Sequence, residues 1–252
     1  MDTKKTCYLF LDYDGTVTDK KRIPRQHREA LLRAKRLGHK LILCTGRSWG
    51  FLQTSPQYRS IPWDGIIVGG AEIHWKGRCI YRRRIEDADV LRLARFALRQ
   101  GACLSIEGEQ SYLMVRRGKN LLPMDDQRSY ARVQRFLRMD HVTKMSILPC
   151  TELIPEVRAE FLLHGGGFGE FGPAGCSKGR AIEIFCRKVG IPLSQCAAFG
   201  DSLNDLAMFE LLPERIAMQH APKKLIRAAT YTAKGAYGVA EGIEYLFGPA
   251  GT

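Results

Sequence analysis

The stretch Tyr8-Leu9-Phe10-Leu11-Asp12-Tyr13-Asp14-Gly15 decides how the rest of the chain is read. Four consecutive non-polar side chains without polar alternation mark a strand buried on both faces, as in a parallel sheet. The run stops on two carboxylates two positions apart, which the strand period turns toward one side, and Gly15 permits a sharp turn after them. Downstream, Pro24 suits the first turn of a helix with an apolar stripe of Leu31, Ala34 and Leu37, and Gly38 marks its end. A second apolar run, Leu41-Ile42-Leu43-Cys44, stops at Thr45-Gly46-Arg47. Strand, helix and strand, with polar residues at both strand ends, is the βαβ grammar of a doubly wound sheet, and Ile66-Ile67-Val68 extends it.

From Glu72 the grammar changes. Ile73-His74-Trp75, Lys76-Gly77 and Cys79-Ile80-Tyr81 read as a hairpin. An amphipathic helix over 87–100, strands over 103–106 and 112–115, a helix carrying Tyr130, Val133, Phe136 and Leu137, and a strand over 145–148 then form an α+β block. The sheet pattern resumes at Ser177, which suits the N-cap of a helix carrying Ala181, Ile182, Phe185 and Val189 and closed by Gly190. Ala197-Ala198-Phe199 is a third buried strand, stopping at Gly200-Asp201-Ser202-Leu203-Asn204-Asp205, and residues 215–218, 231–232 and 239–247 supply two short strands and a last helix. The expected fold class is therefore α/β: a Rossmann-like doubly wound parallel sheet core from residues 1–81 and 175–252, with an inserted α+β domain over 82–174.

Composition narrows the function classes. At 45% hydrophobic and 26% charged, the chain matches ordinary globular proteins, which argues against disorder. No apolar run approaches the roughly 20 residues of a membrane span. Lys4 and Lys5 precede only a short apolar stretch with no small-residue cleavage site, so the expectation is no secretory leader, no membrane partner and a cytoplasmic location. The eight cysteines form no CxxC pair and the six histidines no HxxxH pair; the cysteines read as small buried hydrophobes, and no zinc site is legible. Lys and Arg number 39 against 26 Asp and Glu, a net +13, with much of the excess between Arg78 and Lys144. Arg92, Arg95 and Arg99, like Arg128, Arg132 and Arg135, follow helical spacing and read first as solvated faces, with attraction of an anionic substrate, and after it of nucleic acid, as the alternatives that charge alone leaves open. Gly167-Phe168-Gly169-Glu170-Phe171-Gly172 satisfies GxGxxG, but Pro173 follows instead of a helix, so it reads as the passage from the inserted block back to the core.

Ligands of open α/β sheets bind outside the carboxyl ends of the strands, and the polar residues of this chain collect there. Asp12 and Asp14 held together require a cation or a shared proton, and Asp201 and Asp205 add two more acids at another strand end. Each motif alone is an ordinary turn. Phe10-Leu11-Asp12-Tyr13-Asp14-Gly15-Thr16, then Thr45-Gly46-Arg47, then Ser177-Lys178-Gly179, then Gly200-Asp201-Ser202-Leu203-Asn204-Asp205 resembles, in order, the four motifs of the haloacid dehalogenase-like (HAD) superfamily. The inserted block resembles the C2-type cap of its Cof-like branch.

This resemblance implies a phosphatase. Asp12 would attack phosphorus to form an aspartyl-phosphate, and Asp14 would act as general acid and base. Mg2+ would be held by Asp12, the main-chain carbonyl of Asp14 and Asp201. Asp205 would orient a metal-bound water or Lys178 as a supporting group. Thr45, Gly46, Lys178 and Asn204 would bind the phosphoryl oxygens. The partner would be a small phosphomonoester such as a sugar, nucleotide or cofactor phosphate, selected by a cap that closes over the strand ends. Arg116, Arg117 and Arg128 are candidates for contacts to further anionic groups of the substrate. A phosphotransferase or phosphomutase of the same superfamily is the alternative; a non-catalytic basic nucleic-acid-binding protein is the alternative from another class, although no nucleic-acid partner is expected. Oligomeric state stays open, a monomer included. Two stretches depart from the branch's pattern: Gly69-Gly70-Ala71 replaces Asn-Gly-Ala, and Gln219-His220-Ala221 replaces Gly-Asn-Ala.

Overall fold

The computed structural model describes residues 6–20, 22–47, 49–109, 111–115, 126–150, 154, 156–164 and 166–249. Arg116 and Arg117 therefore lie outside the described residues. The chain divides into two compact units, one from Met1–Arg47, Phe51–Tyr81 and Ser177–Thr252, the other mainly Arg82–Cys176.

In chain order, β1 (Tyr8–Asp12), α1 (Arg25–Arg36), β2 (Lys40–Thr45), α2 (Trp49–Thr54), α3 (Pro56–Arg59), β3 (Gly65–Val68), β4 (Glu72–Trp75) and β5 (Arg78–Arg82) come first. The second unit supplies α4 (Asp87–Arg99), β6 (Cys103–Gly108), β7 (Tyr112–Val115), α5 (Asp126–Leu137), β8 (Val142–Leu148), β9 (Glu160–His164) and β10 (Phe168–Gly172). The first unit is completed by α6 (Lys178–Val189), β11 (Cys196–Gly200), α7 (Leu206–Leu211), β12 (Glu214–Ala217), α8 (Lys223–Ala228), β13 (Tyr231–Thr232) and α9 (Gly238–Phe247).

The first unit is built on a sheet of order β13-β12-β11-β1-β2-β3-β4-β5. Its pairs from β13 to β3 are parallel, and β4 turns back antiparallel on β3. The chain leaves β1 toward β2 on one side and returns much later as β11 on the other, so the end of β1 is a topological switch point, where neighbouring connections diverge and leave a crevice. On one face, Phe10, Ile42, Cys44, Ile67, Ile73 and Ala198 pack against Ile182 and Phe185 of α6 and Met208 and Phe209 of α7. The rings of Phe10 and Phe185 meet edge to face at 5.6 Å, a geometry that adds to their burial. Helix α1 buries His27, Leu31 and Ala34 and packs against α9. Leu37 departs from the expected stripe: it is the C-cap residue, 54% exposed, because the helix has already ended there.

The second unit is an antiparallel sheet of order β7-β6-β8-β10-β9 with α4 and α5 on one face. Alternation in β6 sends Leu104 and Ile106 into the core with Val90, Leu93, Ala97, Val133 and Phe136, while Cys103, Ser105 and Glu107 face the other way. The arginines at helical spacing, Arg92, Arg95, Arg99, Arg128, Arg132 and Arg135, are all exposed. The glycine-rich run is not a passage between domains, as its composition suggests, but strand β10, paired with β8 on one side and β9 on the other. Gly169 is required there by close approach, since a Cβ would lie 2.9 Å from the Cys150 sulfur. Strand β9, at the sheet edge, goes unassigned from the sequence, although Gly165-Gly166-Gly167 directly after it marks its end. Among the described residues no helix is long and apolar enough to cross a membrane.

Candidate active site

Three strand ends and one helix start meet at the switch point. Asp12 closes β1, Thr45 closes the neighbouring β2, and Asp201 follows the end of β11 on the other side. The side chain of Ser177 caps α6 by accepting from the Arg180 amide at 3.1 Å, which starts the helix at Lys178. The Lys178 ammonium is buried and donates to Asp12 Oδ1 and to Asp205 Oδ1, each at 2.5 Å. Asp205 is fully buried, and its second oxygen accepts from the amides of Asp201 and Ser202, each at 3.1 Å. One carboxylate therefore both grips the lysine and shapes the turn that presents Asp201.

Asp201 is set by its neighbours. Its Oδ1 accepts from the Thr16 hydroxyl at 2.8 Å, and His220 Nε2 lies 3.4 Å from its Oδ2. Gly15 has φ +90, and a Cβ there would fall 2.3 Å from Asp201 Oδ2, so only glycine fits the turn after Asp14. Asp14 itself is half exposed and held by both arms of Arg47, with Nε 2.7 Å from Oδ2 and the second guanidinium nitrogen 2.8 Å from Oδ1. The buried Thr45 hydroxyl accepts from the Arg47 amide at 3.0 Å, and Gly46 lies between them, half-buried. Asn204 accepts from the Ser202 hydroxyl at 2.5 Å through its side-chain oxygen.

Burial drives the Asp12 carboxyl well above the usual carboxylate range, the Lys178 ammonium pulls it back, and Asp205 and Asp201 push it up again. Burial likewise works to neutralise Lys178, but Asp12 and Asp205 overcome it and hold the ammonium above the ordinary lysine range. The lysine is the charge to rely on: two carboxylates at hydrogen-bond distance outweigh its desolvation. Carboxylate oxygens of Asp12, Asp201 and Asp205 all lie within 4.8 Å of one another, three acids against one ammonium. That excess of negative charge and the all-oxygen donor set fit a hard divalent cation.

The sequence-predicted Asp12, Lys178, Asp201 and Asp205 thus lie in one connected cluster, and Asp14 reaches Thr45 through Arg47. Sequence reasoning assigned no role to Thr16, Arg47 or His220. Thr16 follows Asp14 by two and Arg47 follows Thr45 by two, so the strand-end motifs that carry them were the available signal. His220 stands out in the sequence only as part of the Gln219-His220-Ala221 departure; its contact with Asp201 comes from the folding of the chain.

Comparison with known proteins adds the following. A family model described as haloacid dehalogenase-like hydrolase matches residues 9–243. The phosphoglycolate phosphatase of Methanoculleus marisnigri is 26% identical over 238 residues, covering 91% of this chain and 91% of its own. The 5-amino-6-(5-phospho-D-ribitylamino)uracil phosphatase YwtE of Bacillus subtilis is 26% identical over 265 residues, covering 90% of this chain and 92% of its own. Among solved structures, BT1666 of Bacteroides thetaiotaomicron, from a study of phosphatases of this superfamily, superimposes with a TM-score of 0.79 over 95% of this chain and 94% of its own, at 20% identity.

Proposed function

The chain belongs to the haloacid dehalogenase-like hydrolases and is a phosphatase of that family, and from this premise we propose that it hydrolyses a small phosphomonoester through an aspartyl-phosphate on Asp12. The observation that carries the reading is the clamp at the end of β1: a buried carboxylate held by a buried lysine beside two further acids. In the first half-reaction the Asp12 carboxylate attacks phosphorus in line and the bond to the leaving oxygen breaks, while Asp14 gives its proton to that oxygen. In the second, Asp14 takes a proton from water, the water oxygen attacks phosphorus, and phosphate and the Asp12 carboxylate are released. Arg47 contacts both oxygens of Asp14; one contact opens for that oxygen to carry the proton it donates, and the other keeps the acid in orientation.

Lys178, Thr45, Gly46 and Asn204 are assigned to the non-bridging phosphoryl oxygens, where negative charge is spread in the transition state. Mg2+ is the cation we assign to Asp12, Asp201 and the main-chain carbonyl of Asp14, with Asp205 in support through Lys178 and the Asp201 amide. When bound, it neutralises the oxygens of the transferred group. The second unit serves in this reading as the C2-type cap, inserted over residues 82–174, that selects the leaving group. The relatives named above act on phosphoglycolate and on a ribityl phosphate, which supports a small phosphorylated metabolite as substrate. All eight cysteines are thiols rather than disulfides, which suits a reducing compartment, and we place the activity in the cytoplasm.

The test is a phosphate-release screen with Mg2+ over sugar, nucleotide and cofactor phosphates, with Asp12→Asn as control. Turnover is expected on at least one class and none in the variant, and borohydride trapping during turnover should mark residue 12. Undiminished turnover by Asp12→Asn would remove the covalent mechanism. Phosphate recovered on a second hydroxyl instead of in solution would replace hydrolysis by phosphotransfer.

A further inference from the structure

The β4–β5 hairpin of the first unit carries three strong metal donors that the reaction does not use. The strand period puts Glu72 and His74 on the same face of β4, and both are buried, with side chains 3% and 8% exposed. Glu72 Oε2 lies 3.1 Å from His74 Nε2. Lys76 and Gly77 form the turn, both with positive φ (49 and 76), the signature of a tight two-residue hairpin loop, which puts Cys79 across from His74. Cys79 is exposed, and its thiol donates to the Tyr81 carbonyl oxygen at 3.3 Å. One carboxylate oxygen, one imidazole nitrogen and one sulfur from these residues all lie within 4.8 Å of one another.

We propose that Glu72, His74 and Cys79 form a metal site for zinc or a similarly soft divalent ion, separate from the oxygen-only site at Asp12. Metal–oxygen and metal–nitrogen distances of about 2.1 Å and a metal–sulfur distance of about 2.3 Å set donor separations of about 3.3–3.6 Å around a tetrahedral ion. The Glu72–His74 pair at 3.1 Å is already near that spacing. Sulfur must close by about 1.2 Å at most to complete the set, a shift the exposed Cys79 side chain makes by turning about its Cα–Cβ bond. Binding exchanges the thiol proton, released to water, for a metal–sulfur bond and moves the ring proton facing Glu72 from His74 Nε2 to Nδ1, with Glu72 ionised, the imidazole neutral and water in the fourth position. Thiolate and imidazole favour zinc-class ions, whereas the all-oxygen set of the three aspartates suits Mg2+. The sites are distinct: Glu72 on β4 is three strand spacings, about 14 Å across the sheet, from Asp12 on β1.

The experiment uses the full chain, stripped of metal, dialysed against micromolar Zn2+ in excess Mg2+ and analysed for bound metal, with a parallel Co2+ titration followed optically. Retention of about one zinc per chain is expected, with a thiolate-to-cobalt charge-transfer band. Cys79→Ser should lose both while keeping Mg2+-dependent phosphate release, and His74→Gln should weaken zinc at least tenfold. Cys103→Ser and Cys176→Ser, at the two partly exposed cysteines elsewhere, should retain zinc. No zinc on the wild-type chain, or undiminished zinc on Cys79→Ser, would overturn the proposal. Neither readout depends on hydrolysis.

Discussion

Lys178→Met takes the ammonium out from between Asp12 and Asp205 and leaves an apolar side chain of similar length. Lys178 is 6% exposed, with both carboxylate oxygens 2.5 Å from its nitrogen, so water cannot readily replace the lost charge. Removing one partner of a buried ion pair costs about 3–5 kcal/mol, because the desolvated charge left behind has no counter-ion. For a protein of this size each kcal/mol shifts Tm by about 2–4 °C, so the unit that carries the site should melt about 6–20 °C lower in metal-free buffer. Thermal unfolding by circular dichroism with EDTA present measures this directly. Combining Lys178→Met with Asp205→Asn removes one of the stranded charges. The double variant should therefore be more stable than the sum of the single losses predicts, with a coupling of about 0.5–3 kcal/mol. A Lys178→Met protein melting within about 1 °C of wild type, or strictly additive losses, would show that the lysine does not bridge the two acids in solution, contrary to the 2.5 Å contacts.

Gly15→Ala should raise the Mg2+ concentration for half-maximal phosphate release at least tenfold and destabilise by about 1–3 kcal/mol, since the new Cβ must displace Asp201 from a backbone that only glycine adopts easily; an unchanged metal requirement would refute the argument. Arg47→Ala should hardly move Tm, because a pair this exposed contributes about 1 kcal/mol or less. It should still slow turnover about 10- to 100-fold for a poor leaving group and less for a nitrophenyl ester, and equal losses would refute its role in positioning Asp14. Acid should destabilise the fold through two buried histidines. His39 Nδ1 accepts from the Cys7 amide at 3.2 Å and so must be neutral, while His27 Nδ1 meets the Val17 carbonyl oxygen at 3.0 Å and leaves its Nε2 buried without a partner. Burial lowers both below the ordinary histidine value of 6.5, so the unfolded chain binds protons first as pH falls. Their contribution to stability is complete above about pH 6.5 and declines as pH falls toward the depressed folded values. Tm should therefore drop between about pH 7.5 and 5.5, and less so in His39→Gln; a pH-independent Tm would refute this.

What the sequence by itself determined is local. Runs such as Phe10-Leu11 and Ile42-Leu43-Cys44 must be buried strands because nothing in them alternates, and each stops where a polar group must find water, a cation or a ligand. That reasoning placed Asp12, Thr45 and Asp201 at strand ends and Lys178 at a helix start, using only periods of two and 3.6 and the capping residues beside them. It failed where local signals mislead or fall silent: the glycine run 167–172 looks like a loop, and Leu37 keeps the helical rhythm past the end of its helix. Tertiary structure alone decided that β1 lies between β2 and β11, and this order brings Lys178 to Asp12 across 166 residues of chain. The same holds for Thr16 against Asp201 and Arg47 against Asp14, whereas Cys79 beside His74 follows from the local Lys76-Gly77 hairpin. A strand's period says which way each side chain points, but which strand lies next to it depends on burying both faces of the whole sheet at once, and no short stretch of residues carries that information.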